Sequence, residues 1–136
     1  MYETFDHTAD LGLRVRAATL DALFAEAATA LFAVVVEDPD AIAAREPQEF
    51  RIAGDDRAYL LFDWLKELLY RFDAEHRLFA RFEVHVAADG LTATAWGEPY
   101  DAARHELGHE VKAITYHGLR VEPSECGWLA EVIVDI

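Results

Sequence analysis

The sequence predicts an α+β sandwich in which two helices pack on a mainly antiparallel sheet. Two long segments carry apolar residues at helical spacing, and several shorter segments alternate apolar and polar residues, as half-buried strands do. The predicted order is β-β-α-β-α-β-β-β-β, which is typical of α+β proteins. At 136 residues the chain has the length of one ordinary domain, and we expect residues 1–136 to form it.

The first helix follows a predicted pair of strands. Residues 11–17 alternate in polarity and predict a strand, for which Tyr2–Phe5 is a candidate hairpin partner. Thr19 is a good helix cap, and the apolar residues between Leu20 and Val34 recur at helical spacing.

A loop and a short strand separate the two helices. Pro39 and Pro47 bracket the predicted loop, and the alternating segment Phe50–Ile52 follows it. The longest periodic segment of the chain then predicts the second helix. Its apolar stripe consists of Leu61, Trp64, Leu65, Leu68, Leu69 and Phe72.

The rest of the chain predicts strands. A strand from Leu78 and a returning strand at Leu91–Trp96 flank Asp89-Gly90, a strong hairpin signal. The polar stretch Asp101–Glu110 is predicted to be a loop.

Two further strands complete the predicted sheet. Residues 111–121 alternate and predict one strand, and residues 128–136 predict the last. Residues 123–127, which include Pro123 and Gly127, predict the turn between them.

Charge narrows the classes of partner. The formal net charge is −14, so the surface should repel nucleic acid and anionic membranes, and a cationic protein or a divalent cation is a better partner. No apolar run approaches the roughly 20 residues of a membrane helix. The one cysteine cannot form an internal disulfide or a thiolate zinc site, and the N-terminus lacks the pattern of a secretory signal, so we expect a cytoplasmic protein.

Two acidic segments are candidate sites. His7 and Asp10 lie three residues apart in a predicted turn, although Asp10 could simply close that turn. Asp135 and the terminal carboxylate of Ile136 place two hard oxygen groups side by side. A bridging cation would offset their repulsion, and a solvated acidic tail is the alternative.

Lys112 is the third candidate. A lysine between apolar neighbours in a strand is either an edge residue or the partner of a carboxylate such as Glu98 or Asp101. His105, His109 and His117 do not have the spacing of a zinc motif. The sequence also lacks a glycine-rich phosphate loop and a nucleophile elbow, so its residues alone name no function.

Three ordered motifs nevertheless resemble the archease family across the whole chain. They are His7-Thr8-Ala9-Asp10-Leu11-Gly12, Val111-Lys112-Ala113-Ile114-Thr115-Tyr116-His117 and Val132-Ile133-Val134-Asp135-Ile136. The Gly97-Glu98 pair and His105 also occur in the family's order. The resemblance implies an archease-like sandwich.

The resemblance also implies a function. It implies an accessory protein, not itself an enzyme, that activates an RtcB-type RNA ligase in tRNA splicing or RNA repair by promoting ligase guanylylation and multiple turnover. The family's metal site maps to Asp10, Asp135 and Ile136, with Ca²⁺ as the usual ion and Mg²⁺ or Mn²⁺ as alternatives. Lys112 would be a functional residue beside the metal, and His7 would orient Asp10.

Two other classes remain as alternatives. A small metal-dependent phosphohydrolase or nuclease could use Asp10 and Asp135 as ligands, although few cations are available to hold its substrate. A chaperone-like module would bind many unfolded proteins. We expect neither stable direct binding of nucleic acid nor membrane association.

Overall fold

Two antiparallel sheets and two α-helices form the fold. The computed structural model describes residues 1–7 and 10–136, with the backbone only for His7. The strands are β1 (Tyr2–His7), β2 (Asp10–Ala17), β3 (Glu46–Ala53), β4 (Arg77–Ala87), β5 (Gly90–Pro99), β6 (Ala113–Ile114), β7 (Arg120–Ser124) and β8 (Gly127–Asp135). The helices are α1 (Leu20–Val35) and α2 (Arg57–Glu75), and a 3₁₀ turn covers Pro39–Ala41.

The larger sheet is built around β8. Its order is β1-β2-β8-β6, and β7 pairs with the other end of the same edge of β8. The apolar residues of β2 lie opposite those of β8, for example Leu13 opposite Val132, and both are buried. The alternation seen in the sequence therefore gives this sheet one face toward the core.

The smaller sheet has the order β3-β5-β4. The chain reverses between β4 and β5 at Asp89-Gly90, as the sequence predicts. Pro47, expected at the end of a loop, instead lies within β3. Proline is tolerated there because β3 is an edge strand, with a partner on one side only.

The helices join the two sheets. Helix α1 packs against both β2 and β4, and the side chain of Thr19 caps it by accepting the N–H of Ala22 at 3.1 Å. Trp64 on α2 is fully buried, and its Nε1–H donates to the carbonyl oxygen of Phe24 on α1 at 3.0 Å. The buried indole N–H is therefore satisfied by the other helix. Neither described helix is long and apolar enough to cross a membrane.

One predicted strand is wrong. Residues 111–121 form not one strand but β6 and the start of β7, separated by a turn in which the N–H of Leu119 donates to the carbonyl of Tyr116 at 3.2 Å. Gly118 adopts φ +66°, a left-handed conformation that favours glycine. The α+β class with two helices and antiparallel strands is as predicted, but the described strands number eight and form two sheets.

Candidate functional site

The larger sheet brings the predicted site residues into one row across its strands. Asp10, the first residue of β2, lies directly opposite Asp135, the last residue of β8. On either side, His7 of β1 lies opposite Asp10, and Ala113 of β6 lies opposite Asp135. Directly opposite residues in antiparallel strands have Cα atoms about 4.5–5.5 Å apart. Segments that are distant in the sequence therefore meet at this end of the sheet.

Asp10 and Asp135 lie on the sheet face that points away from the helices. Their neighbours Leu11 and Val134 also form a pair, and both are buried in the core. Because side chains alternate between the two faces of a strand, the aspartates lie on the opposite face. Both are half-buried. Like charges directly opposite each other destabilise a sheet, and a cation bound there would offset that cost.

Lys112 reaches the row through its backbone. Its N–H donates to the carbonyl oxygen of Asp135 at 2.7 Å, and its side chain is exposed. Since Lys112 directly precedes the edge strand β6, the structure supports the edge-residue alternative. The alternative pairing with Glu98 or Asp101 is wrong: Glu98 is held by other donors, and Asp101 faces Arg104 at 3.8 Å.

Of the other two predicted site residues, Ile136 is described with its side chain and His7 only by its strand position. Ile136 follows Asp135 directly, and its half-buried side chain packs against the core, which holds its backbone beside the aspartate pair. For His7 the strand position is described, whereas its side chain lies outside the described residues, as do Thr8 and Ala9 of the same motif.

The donors at this sheet end fit a hard cation. Asp10 and Asp135 offer carboxylate oxygens, which Ca²⁺, Mg²⁺ and Mn²⁺ prefer. Because Ca²⁺ takes about six to eight oxygens, further ligands would have to come from the Ile136 carboxylate, backbone carbonyls or water. Within the described part of the chain, no three His, Cys, Asp or Glu side chains are grouped so that they could hold a metal ion.

A second polar cluster surrounds Glu98, whose side chain is fully buried. One of its oxygens accepts the backbone N–H of Ala43 at 2.7 Å and lies 2.8 Å from Nε2 of His105. The other oxygen accepts hydrogen bonds from Arg45, at 2.9 Å, and from Arg104. Four donors thus satisfy a carboxylate that would be costly to bury alone.

The hydrogen bonds of His105 define its tautomer. Nδ1 accepts the backbone N–H of Asp101 at 2.9 Å, so Nε2 carries the hydrogen and donates it to Glu98. Both ring nitrogens of this buried histidine are therefore occupied. His105 is not available to bind zinc together with His109 or His117.

The same contacts control the acidity of Glu98. Burial by itself raises the pKa of this carboxyl, because it disfavours the charged form. The hydrogen bonds from Ala43, His105 and Arg104 outweigh burial and lower the pKa from 4.5 to about 2. Glu98 is therefore ionised at neutral pH and anchors the loop that carries His105.

That loop also caps α1 on its way to Lys112. The N–H groups of Gly108 and His109 donate to the carbonyls of Val35 and Val34 at 2.8 and 2.9 Å. These carbonyls belong to the last turn of α1, where no intrahelical donor is available. The loop thus gives the chain a defined path from Glu98 to the aspartate row, which the sequence did not reveal.

Fold and site together define a small, strongly acidic α+β protein with an aspartate pair at a sheet end. The model of the Archease protein family (MTH1598/TM1083) matches residues 2–136. The protein archease of Methanopyrus kandleri is 42% identical over 139 aligned positions that cover 99% of each chain. That of Sulfurisphaera tokodaii is 37% identical over 137 positions, covering 99% of this chain and 98% of the relative. The chain belongs to the archease family.

Two solved structures agree with the fold. The solution structure of Methanobacterium thermoautotrophicum protein 1598 matches with a TM-score of 0.82 and 36% identity, covering 99% of this chain and 98% of that one. A crystal structure from Thermotoga maritima, described as "an archease, possible chaperone", matches with a TM-score of 0.67 and 20% identity, covering 100% and 98%. At that identity, the second likeness concerns the fold alone.

Proposed function

We propose that this protein activates an RtcB-type RNA ligase in tRNA splicing or RNA repair, as an accessory protein and not as an enzyme. It would promote guanylylation of the ligase and so its multiple turnover. Membership of the archease family supports this proposal, as do the family motifs. The observation that carries it is the row of Asp10, Asp135 and the Lys112 backbone at one open end of the sheet.

The aspartate pair is the proposed metal site. Asp10, Asp135 and the carboxylate of Ile136 would hold a divalent cation, with Ca²⁺ the first candidate and Mg²⁺ or Mn²⁺ the others. When bound, the cation would supply positive charge to an otherwise acidic surface. His7, which lies opposite Asp10 in the strand ladder, would orient that carboxylate, and Lys112 would act beside the metal.

The charge of the chain supports a protein partner. With a formal net charge of −14, the protein suits a cationic surface such as that of an enzyme built to bind RNA. Direct binding of RNA is disfavoured, because the 26 acidic side chains outnumber the 12 lysines and arginines.

The test measures guanylylation and multiple-turnover ligation by a cognate RtcB-type ligase. A substoichiometric amount of the wild-type protein should raise ligation turnover. Asp10→Asn and Asp135→Asn should lose most of this stimulation and bind Ca²⁺ at least about tenfold more weakly by calorimetry. Asp40→Asn, which changes an exposed aspartate far along the chain from the row, is the matched control and should behave as wild type.

The outcomes separate the competing functions. If the wild type leaves turnover unchanged, the activator proposal is wrong. If Asp10→Asn stimulates as well as wild type, the metal has no part in activation. Metal-dependent cleavage of RNA by the protein alone would instead support the nuclease alternative, and protection of many unfolded proteins would support the chaperone-like one.

A further inference from the structure

An exposed cluster of aromatic rings lies on the outer side of α2. Tyr116, from the turn after β6, stacks on Phe62 with a centroid distance of 4.0 Å and an interplanar angle of 16°. Tyr59 meets the Tyr116 ring edge-on at 5.5 Å. Tyr59 and Tyr116 are 56% and 60% exposed, whereas Phe62 beneath them is buried. We call Tyr59, Phe62 and Tyr116 the aromatic patch.

The patch is held in place before any partner binds. Phe62 belongs to the hydrophobic core, and the rings of Tyr116 and Tyr59 are ordered by their contacts with it and with each other. Within the described part of the chain, neither phenol hydroxyl forms a hydrogen bond. Ordered tyrosines offer a large contact area at low entropic cost, which is why they are frequent binding hot spots.

The patch is continuous with the proposed site along the chain. Lys112 donates its backbone N–H to Asp135, and Tyr116 lies only four residues later on the same segment. A further backbone contact of that segment, from the N–H of Thr115 to the carbonyl of Ile133 at 3.0 Å, fixes its position on β8. The patch lies on the helix side of the larger sheet and the aspartate row on its other face, so a partner that contacts both would have to reach around the edge formed by β6.

We propose that the aromatic patch docks an arginine-rich protein surface, namely the RNA-binding face of the ligase; this inference rests on the proposed function. Guanidinium groups stack well on tyrosine rings. The exposed carboxylates of Asp55, Asp56 and Asp63 lie on α2 or just before it and add negative charge. Nucleic acid would be repelled by the same carboxylates, which outnumber the exposed cations Arg57 and Lys66 of α2. Lys66 lies 5.9 Å from the Phe62 centroid.

The test compares two tyrosines of the same helix. Tyr59→Ala removes an exposed ring of the patch, and Tyr70→Ala removes an equally exposed ring, 57%, that lies three helical turns away. By titration of labelled ligase, Tyr59→Ala should raise Kd at least about tenfold, whereas Tyr70→Ala should change it less than about twofold. Tyr59→Phe, which keeps the ring, should retain most of the affinity.

A second variant and the dependence of Kd on ionic strength provide independent checks. Tyr116→Ala should weaken binding as Tyr59→Ala does, with unfolding by urea measured in parallel because this ring covers Phe62. The Kd of the wild type should rise with ionic strength, since the attraction is between opposite charges.

Failure of the inference differs from failure of the proposed function. If the wild type stimulates the ligase and Tyr59→Ala binds it as tightly as Tyr70→Ala does, the docking surface is wrong and the proposed function stands. If the wild type neither binds nor stimulates the ligase, the proposed function and its docking surface both fall. Self-association or RNA binding that depends on Tyr59 would overturn the inference in favour of another occupant.

Discussion

Replacing Glu98 by glutamine should destabilise the fold only where the carboxyl is ionised. The substitution keeps one acceptor oxygen for Ala43 and His105, but it places an amide NH₂ toward Arg45 and Arg104. Lowering the pKa from 4.5 to about 2 corresponds to about 3 kcal/mol. The two arginine side chains are 66% and 45% exposed, so solvent screening reduces our expectation to about 2 kcal/mol.

The pH dependence gives the prediction its direction. Because the pKa of Glu98 is lower in the folded than in the unfolded chain, its stabilisation is fully present above about pH 5. It is lost as the pH falls through 4.5 toward 2, since protonated glutamic acid then resembles glutamine. The difference in free energy of unfolding between wild type and Glu98→Gln should therefore shrink on acidification.

Urea unfolding followed by tryptophan fluorescence at pH 7, 5 and 3 measures this difference. We expect about 2 kcal/mol at pH 7, or about 6 °C in Tm, and less than about 1 kcal/mol at pH 3. Glu49→Gln, at an exposed position of β3, serves as the control and should show a flat, near-zero difference. A difference for Glu98→Gln that stays constant with pH would refute the electrostatic explanation.

Three further substitutions test the packing around the site. Gly97→Ala should lower the free energy of unfolding by at least about 2 kcal/mol, because the added Cβ would collide with the Leu78 carbonyl of the paired strand. An unchanged urea midpoint would contradict this. Gly108→Ala should cost about 1–2 kcal/mol, since its Cβ would lie 2.7 Å from a carbonyl of α1, and faster amide exchange in the loop should accompany it. Trp64→Phe should lower the free energy of unfolding by about 2–3 kcal/mol, because the hydrogen bond to Phe24 is lost and the new ring is smaller. A loss below about 0.5 kcal/mol would show that the core repacks freely.

Local signals predicted local structure well. The cap at Thr19 and the hairpin at Asp89-Gly90 depend on residues within a few positions, and both are found. The prediction of one strand at 111–121 was wrong because the alternation of polarity continues through the turn. The residue that could have indicated the turn is Gly118, which adopts a positive φ there. Alternation alone does not detect a reversal when the residues on both sides keep the same phase.

Contacts between distant segments of the chain were harder to predict from the sequence. Glu98 shares its strand phase with Thr92, Thr94 and Trp96, which are exposed or half-buried, so periodicity predicts solvent there. Its burial is explained by donors from distant parts of the chain, namely Ala43, Arg45, Arg104 and His105. The juxtaposition of Asp10 and Asp135 likewise depends on strand order, which hydrophobic spacing does not encode. The family resemblance grouped these two aspartates, and the strand register shows that they are direct neighbours.

The central place of β8 has a consequence for synthesis on the ribosome. Of the described strands it is the last to be made, yet β6 and β7 pair with no other described strand, and β2 needs it as a second partner beside β1. The smaller sheet and α2 occupy one continuous stretch, residues 46–99, and can begin to pair earlier. Until β8 emerges, one edge of β2 is unpaired and open to wrong pairing with another chain. A prematurely terminated product would keep that edge and lack Asp135, so it would be both prone to aggregate and unable to form the aspartate row.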